Sequence, residues 1–382
     1  MPSAAMTWPE EKTALHVLMT ADAVGGVWQY ALDLSGSLRE KGVRVTIAVL
    51  GPSPSADQQA MAEAIGAELI LTDLPLDWTA QSPREVEEAG RAIARIATRI
   101  QPDLLHLNSP ALAANAAFGI PVVAVCHSCV ATWWQAVKGG QLPGEFVWRT
   151  DLVARGYASA DRLLAPTLAF AQATAQAYGL SQTPTVVRNG RRPVPISRST
   201  SEQDCVFTAG RLWDEGKNFA VIDRVASRLT VPVLAAGPLE GPNGTQAKAD
   251  HAKVLGRLGD VEVAQHLSVK PVFISMARYE PFGLAVLEAA QMGCALVLSD
   301  IPTFRELWEG AALFVDPSEE NAIAEAIQQL LQDPKARTIL GRAARDRADA
   351  YTVDAMSAGV LSVYRSVLHQ GSLRSSLEGA VA

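Results

Sequence analysis

The chain has 382 residues, 48% hydrophobic and 19% charged, with a formal net charge of −7. That length exceeds one ordinary core, so two domains are expected, and the acidic balance argues against general nucleic-acid binding. No apolar run reaches the roughly 18 residues needed to span a bilayer, and acidic residues precede the first apolar run, which does not suit a signal peptide; a cytoplasmic location is expected, with a peripheral hold on the inner membrane left open.

Residues 1–13 read as a polar leader. Residues 15–20 (LHVLMT) form the first expected strand. Tyr30, Leu34 and Leu38 then recur at helical spacing over 28–41, closed by Gly42. VRVTIAVL follows as a strand, completing a βαβ unit with a right-handed crossover. Gly25 and Gly26 stand just before that helix, where a glycine turn admits phosphate. The pair is not GxGxxG, so the dinucleotide fingerprint is absent, and a bare Gly-Gly also serves as a plain turn.

Between 51 and 101 come an Ala-rich helix, the strand AELILTD and a charged helix at about 83–99. PDLLHLN reads as a strand, 110–118 as a short helix and PVVAVCH as another strand. His127 ends that strand, where ligands of parallel sheets sit. Cys126 and Cys129 flank it in CHSC. No second pair stands at metal spacing, so no structural zinc site is expected. Cys126 closes an apolar strand as a small hydrophobe. Four aromatics fall between Trp133 and Trp148. Trp133 and Trp134 suit stacking on an acceptor sugar, leaning on lipid, or packing a long loop, and the sequence leaves these open. Residues 143–158 read as a helix, DRLLAPT as a strand, 169–178 as a helix and PTVVRNG as a strand.

Residues 188–201, RNGRRPVPISRSTS, break the composition with two prolines, a glycine and four arginines, the mark of a linker. Beyond it the rhythm restarts: VFTAGRL, a helix at 218–229, VPVLAAG, and a loop containing GPLEGPNG that runs into an expected helix over 248–255. GRLWDEGKN places Arg211 and Lys217 at a strand end. Residues 272–300 then read as strand, loop, helix and strand, with the helix starting near Leu284 and stopping at Gly293. Pro281 biases Glu280 away from helical geometry, and Gly283 lets the backbone approach a ligand. The free N–H groups that open the helix carry the positive end of its dipole and suit an anion. The carboxylates of Glu280 and Glu288 suit neutral hydroxyls. A sugar joined to a diphosphate has both parts. Arg211 and Lys217 would stabilise charge on a leaving diphosphate. Helices are expected at 318–333, 334–351 and 352–368, the last with Met356, Val360, Leu361 and Tyr364 on one side. The last dozen residues read as a frayed end.

The EPFGLAVLE string resembles the Glu-x7-Glu signature of retaining glycosyltransferases with the GT-B fold, especially glycosyltransferase family 4. The resemblance covers nearly the whole chain and is sharpest in its second half. It implies two Rossmann-like, doubly wound parallel-sheet α/β domains facing across a cleft: residues 1–188 on the acceptor side, 189–351 for the nucleotide sugar, and 352–382 as a helix returning to the first domain plus a tail. It also implies the site roles. Glu280 contacts the donor sugar, the backbone of Pro281, Phe282, Gly283 and Leu284 meets sugar and phosphates, and Glu288 holds the ribose hydroxyls. Arg211 and Lys217 face the diphosphate, and His127 reaches the sugar near the reaction centre. Gly25 and Gly26 approach the phosphates or the acceptor from across the cleft. Many family members carry four residues between the Arg and Lys. This chain has five, which shifts the approach of Lys217. DIPTFREL resembles the family too, and implies that Asp300, Thr303 and Glu306 line the donor end.

The implied reaction is retaining transfer of a hexosyl unit from a UDP-, GDP- or ADP-sugar to an acceptor hydroxyl. No DxD motif stands near the cleft segments, so neither a metal nor a cofactor is expected. The sequence does not name the base, the sugar, the acceptor or the oligomeric state. Rival readings are a sugar-nucleotide epimerase or phosphorylase of the same fold, or a non-catalytic partner that binds a nucleotide sugar.

Overall fold

The computed structural model describes residues 14–196, 203–242 and 244–379, with side chains as far as residue 370. The expected leader, part of the linker, and the chain beyond 379 lie outside the described residues.

The first half runs β1 (His16–Asp22), α1 (Gly26–Glu40), β2 (Arg44–Leu50), α2 (Ala56–Ala64), β3 (Glu68–Leu71), α3 (Pro83–Ile100), β4 (Leu104–Leu107), β5 (Val122–Val125), α4 (Val130–Val137), α5 (Gly144–Ser159), β6 (Arg162–Ala165), α6 (Leu168–Tyr178) and β7 (Thr185–Val186). The second runs β8 (Val206–Ala209), α7 (Phe219–Ala226), β9 (Val233–Ala236), β10 (Lys253–Gly256), α8 (Asp260–Ser268), β11 (Val272–Ser275), α9 (Leu284–Gln291), β12 (Leu296–Ser299), α10 (Pro302–Trp308), β13 (Leu313–Val315), α11 (Glu320–Gln332) and α12 (Pro334–Ala348). The final helix is α13 (Val353–Gly379).

Each half is one parallel sheet flanked by helices. The strand orders are β3-β2-β1-β4-β5-β6-β7 and β10-β9-β8-β11-β12-β13. The central strands are covered on both faces, which is why they read as unbroken apolar runs: β1 is buried at every residue but Asp22. In both sheets the winding reverses beside the first strand, between β1 and β4 and between β8 and β11. A crevice opens outside the carboxyl ends of the strands at such a reversal, and ligands of open α/β sheets bind there.

The last helix belongs to the core of the first half. Met356, Val360 and Tyr364 of α13 pack with Trp28, Leu34 and Leu38 of α1 over Met19 and Ile47. Full burial of such side chains contributes roughly 1.5–3 kcal/mol each, so this seam outweighs the exposed Lys41–Asp354 ion pair beside it. The linker enters under the start of α13 at Gly190. A Cβ there would fall 2.2 Å from the Thr352 carbonyl oxygen, so only glycine fits.

Residues 248–255 are not a helix. The N–H groups of Asp250, His251 and Ala252 all donate to the Asp223 carboxylate of α7 at 2.8–3.1 Å. A helix begun at residue 248 would need the Ala252 N–H for its own ladder, and Asp223 takes it; the chain goes on as β10. The helix comes later, at α8, where the Glu262 carboxylate accepts the Gly259 N–H at 2.8 Å in a capping contact. The expected helix at 110–118 is a single 3-10 turn, Pro110–Ala113. Conversely, Trp133 and Trp134 lie within helix α4, not in a loop.

Candidate active site

The turn into α9 sets the geometry. Gly283 caps the helix at φ +91°. A Cβ there would lie 3.1 Å from Phe304 and 3.3 Å from Val286, so strain and crowding both require glycine. The Phe282 side chain is turned into the core. It is buried and meets the Tyr351 ring edge-on at 5.9 Å, which anchors the turn. The Pro281 carbonyl accepts a hydrogen bond from Thr167 Oγ1 of the first half at 3.0 Å. Glu280 is thereby held at the mouth of β11, where its Oε2 pairs with Lys217 Nζ.

Lys217 arrives there through a 3-10 turn, Glu215–Lys217, capped by the Asp214 side chain on the Gly216 N–H at 2.9 Å. Lys217, Glu280 and Gly283 line one hollow with Thr208, Gly210 and Ser275. Arg211 stands beside it, half exposed, with Nη2 3.0 Å from Asp214 Oδ2. The five-residue spacing is accommodated by this turn.

The first half closes over the hollow. A Cβ on Gly25 would lie 3.8 Å from Arg211 Nη1, and one on Gly26 3.4 Å from Leu284 Cδ1. The Gly-Gly turn therefore faces both the arginine and the start of α9. Asp22, at the end of β1, was not singled out in the sequence. Burial raises its carboxyl above the ordinary range, against the opposing pull of the Val24 N–H and of Arg211. Its signal was its place, the last residue of the strand at the winding reversal.

His127 lies two residues before Cys129, whose N–H donates to the Tyr279 hydroxyl at 3.2 Å, next to Glu280. Thr132 Oγ1 meets the same hydroxyl at 2.9 Å. The imidazole belongs to a defined network. Asn108 Nδ2 donates to the Thr20 carbonyl at 2.7 Å, which turns Asn108 Oδ1 towards His127 Nε2 (2.8 Å) and His106 Nε2 (3.2 Å). Both histidines must then carry their proton on Nε2. His106 Nδ1 accepts from the Tyr364 hydroxyl of α13 at 2.7 Å. His127 Nδ1 is left as an acceptor. Burial, with His106 adding to it, pushes His127 down to about 3, and burial takes His106 to about 4. Both rings are neutral at pH 7. His106, Asn108 and Tyr364 were invisible as a site because they are scattered over 258 positions of sequence.

Glu288 is set apart from Glu280. It lines a second hollow, with Val194 of the linker, Ala264 of α8 and Gln291. Its Oε1 pairs with Arg191 Nε at 2.7 Å. Trp133 Nε1 donates to Asp214 Oδ1 across the cleft at 3.1 Å, and Trp134 packs on Phe146 with centroids 5.7 Å apart. Asp300 pairs with Arg305 at 2.7 Å on the surface. Glu306 turns to the other half, where its carboxylate accepts the Leu168 and Ala169 N–H groups that open α6, at 2.9 and 2.8 Å, and pairs with Arg188. Cys126 and Cys129 are buried free thiols. Among the described residues, no group of three or more His, Cys, Asp or Glu is placed to hold a metal ion, and no helix is long and apolar enough to cross a membrane.

Comparison with known proteins covers both halves. Residues 24–193 match Glycosyltransferase Family 4, and residues 245–347 match Glycosyl transferases group 1. The chain is 24% identical to a glycogen synthase of Mycobacterium tuberculosis over 362 residues, covering 85% of this chain and 86% of the relative. It is 23% identical to a phosphatidyl-myo-inositol mannosyltransferase of Mycolicibacterium smegmatis, covering 92% of each. Among solved structures it resembles a sucrose-phosphate synthase from Thermosynechococcus elongatus, with a TM-score of 0.75 and 18% identity over 93% of this chain and 100% of that one. It also resembles the Anabaena protein HepE in complex with UDP-glucose, with a TM-score of 0.72 and 18% identity over 92% of this chain and 100% of that one. The chain is a glycosyltransferase and belongs to the family 4 type with the GT-B fold.

Proposed function

We propose that the protein transfers a hexosyl unit from a nucleotide-diphosphate sugar to an acceptor hydroxyl with retention, and needs no metal ion. The observation that carries the reading is the shared hollow of Lys217, Glu280 and the Gly283 helix start, faced by Arg211 and Gly25. A diphosphate on the amides of α9 would draw Lys217 away from Glu280 and meet Arg211, while the released Glu280 carboxylate grips hydroxyls of the sugar. His127 offers Nδ1 to a sugar hydroxyl as an acceptor. The similarity to a structure holding UDP-glucose supports a sugar nucleotide as the donor class.

In the reaction, the bond from the anomeric carbon to the diphosphate oxygen breaks and one to the acceptor oxygen forms on the same face. The acceptor proton passes to the departing diphosphate. Two cations and a helix terminus stabilise that charge where it develops. Closure across the cleft, as in the Trp133–Asp214 and Thr167–Pro281 contacts, keeps water from the donor.

The test is a melting-temperature screen with UDP-, GDP- and ADP-sugars, followed by product analysis of the stabilising donor in the presence of EDTA. A selective donor should raise the melting temperature, and the product should keep the anomeric configuration of the donor, with the rate unaltered by EDTA. An inverted product, or a rate abolished by EDTA and restored by a divalent ion, would overturn the retaining or the metal-free part. Binding of every such donor without transfer would favour the non-catalytic alternative.

A further inference from the structure

The linker carries a charged side chain that the reaction scheme does not use. Arg191 is 5% exposed, and its guanidinium meets three carboxylates from three helices. Nη1 lies 3.0 Å from Asp33 of α1, Nη2 2.7 Å from Asp260 of α8, and Nε 2.7 Å from Glu288 Oε1 of α9. The backbone is held as well: Gln291 Nε2 donates to the Arg191 carbonyl at 2.8 Å, and the neighbouring Gly190 N–H lies 3.3 Å from Met356 Sδ. The fork is thus fixed from both halves at once.

A planar arginine fork sets the orientation of the carboxylate it binds, which a lysine ammonium does not. Arg191 takes one acceptor site on Oε1 of Glu288 and fixes the plane of the carboxylate, leaving Oε2 and the rest of Oε1 for the hydroxyls expected of that side chain. Burial favours the uncharged form of Glu288 and Arg191 opposes it. Glu288 without its arginine would be a less oriented and weaker acceptor.

We infer that Arg191 is a positioning residue for donor binding, fixing the Glu288 carboxylate in the one orientation that accepts the ribose hydroxyls. This rests on the sugar-nucleotide reading above and on the ribose contact that the family resemblance implies for Glu288. The competing view is that Arg191 only braces the two halves. The two views differ in what happens when a ribose hydroxyl is missing.

The full chain is titrated calorimetrically with UDP, GDP and ADP, and the tightest binder is compared with its 2′-deoxy and 3′-deoxy counterparts. The wild type should prefer the intact ribose by about tenfold, the scale of one hydrogen bond to a charged group. Glu288→Gln should remove most of that preference. Arg191→Lys, which keeps a cation among the three acids, should remove it too, while the affinity for the deoxy nucleotide stays within about twofold of wild type. In turnover the loss should fall on donor KM and not on kcat. Asp260→Asn, which takes another carboxylate from the same fork, should keep the preference because the Nε–Oε1 contact survives. If the lysine variant does not fold, Arg191→Gln is read the same way. Full preference in the arginine variant, equal weakening of both nucleotides, or loss of preference in Asp260→Asn would overturn the inference and leave the ribose contact standing. Full preference in Glu288→Gln, or no binding of any nucleotide, would remove the ribose contact itself and the inference with it.

Discussion

Lowering the pH should destabilise this protein through two particular histidines. His106 and His127 share the Asn108 oxygen and are both kept neutral, mainly by burial, at about 4 and about 3 instead of the ordinary 6.5. The unfolded chain takes up protons that these rings refuse in the folded state, so stability rises with pH wherever the unfolded state binds more. Both folded values are depressed. The associated stability is therefore fully present above about 6.5 and is lost as the pH falls, down to about 4 for His106 and about 3 for His127. Within that window each ring contributes a slope of about 1.4 kcal/mol per pH unit. From pH 6.5 to 5 each costs about 2 kcal/mol, or about 4 together, against a typical total of roughly 5–15. The assay is urea unfolding between pH 7.5 and 4.5 for the wild type and His127→Gln, which keeps an amide donor for Asn108. Carboxylates titrate in both proteins alike, so the difference isolates the ring. The variant should lose about 2 kcal/mol less than the wild type on going to pH 5. Identical pH dependence in the two proteins would refute the reasoning, because His127 would then titrate alike in both states.

The other predictions concern the two halves of the cleft and the linker. Arg211→Ala should lower kcat by about 100–1,000-fold with a smaller change in donor KM, the scale for losing one preorganised contact to developing charge; a steady-state assay returning the wild-type kcat would dismiss that role. Glu288→Ala should instead raise donor KM by about tenfold or more and leave kcat within a few fold, as expected for binding energy shared by ground and transition states; a change confined to kcat would contradict it. Gly190→Ala should destabilise by about 1–3 kcal/mol, since its Cβ would fall 2.2 Å from the Thr352 oxygen, and an unchanged melting temperature would show that the start of α13 yields freely.

Local chemistry made much of the fold legible. The apolar runs of β1, β2, β11 and β12 and the helical spacing in α1 and α13 report burial that is continuous along the chain. Pro281 and Gly283 likewise mark the turn into α9, because backbone sterics act within a few residues. The reading broke down where a distant group competed for the backbone. Residues 248–255 have no local reason to avoid a helix; the reason is Asp223, which takes three of their amides. Trp133 has no local reason to be more than a surface aromatic; its partner Asp214 is 81 positions away.

The site divides in the same way. The sequence by itself determined which residue types were present at usable spacing: the Gly-Gly turn, the Arg211/Lys217 pair, and Glu280 and Glu288 around a glycine-capped helix start. Tertiary structure decided what each of them faces. It parked Lys217 on Glu280, fixed the Nε2 proton of His127 through Asn108, sent Glu306 across to cap α6, and gave one oxygen of Glu288 to Arg191. Propensities and turn chemistry act over a few bonds and are written in neighbouring letters, whereas a carboxylate held by a guanidinium 97 positions away is a fact of how the linker packs on the helices of the second half.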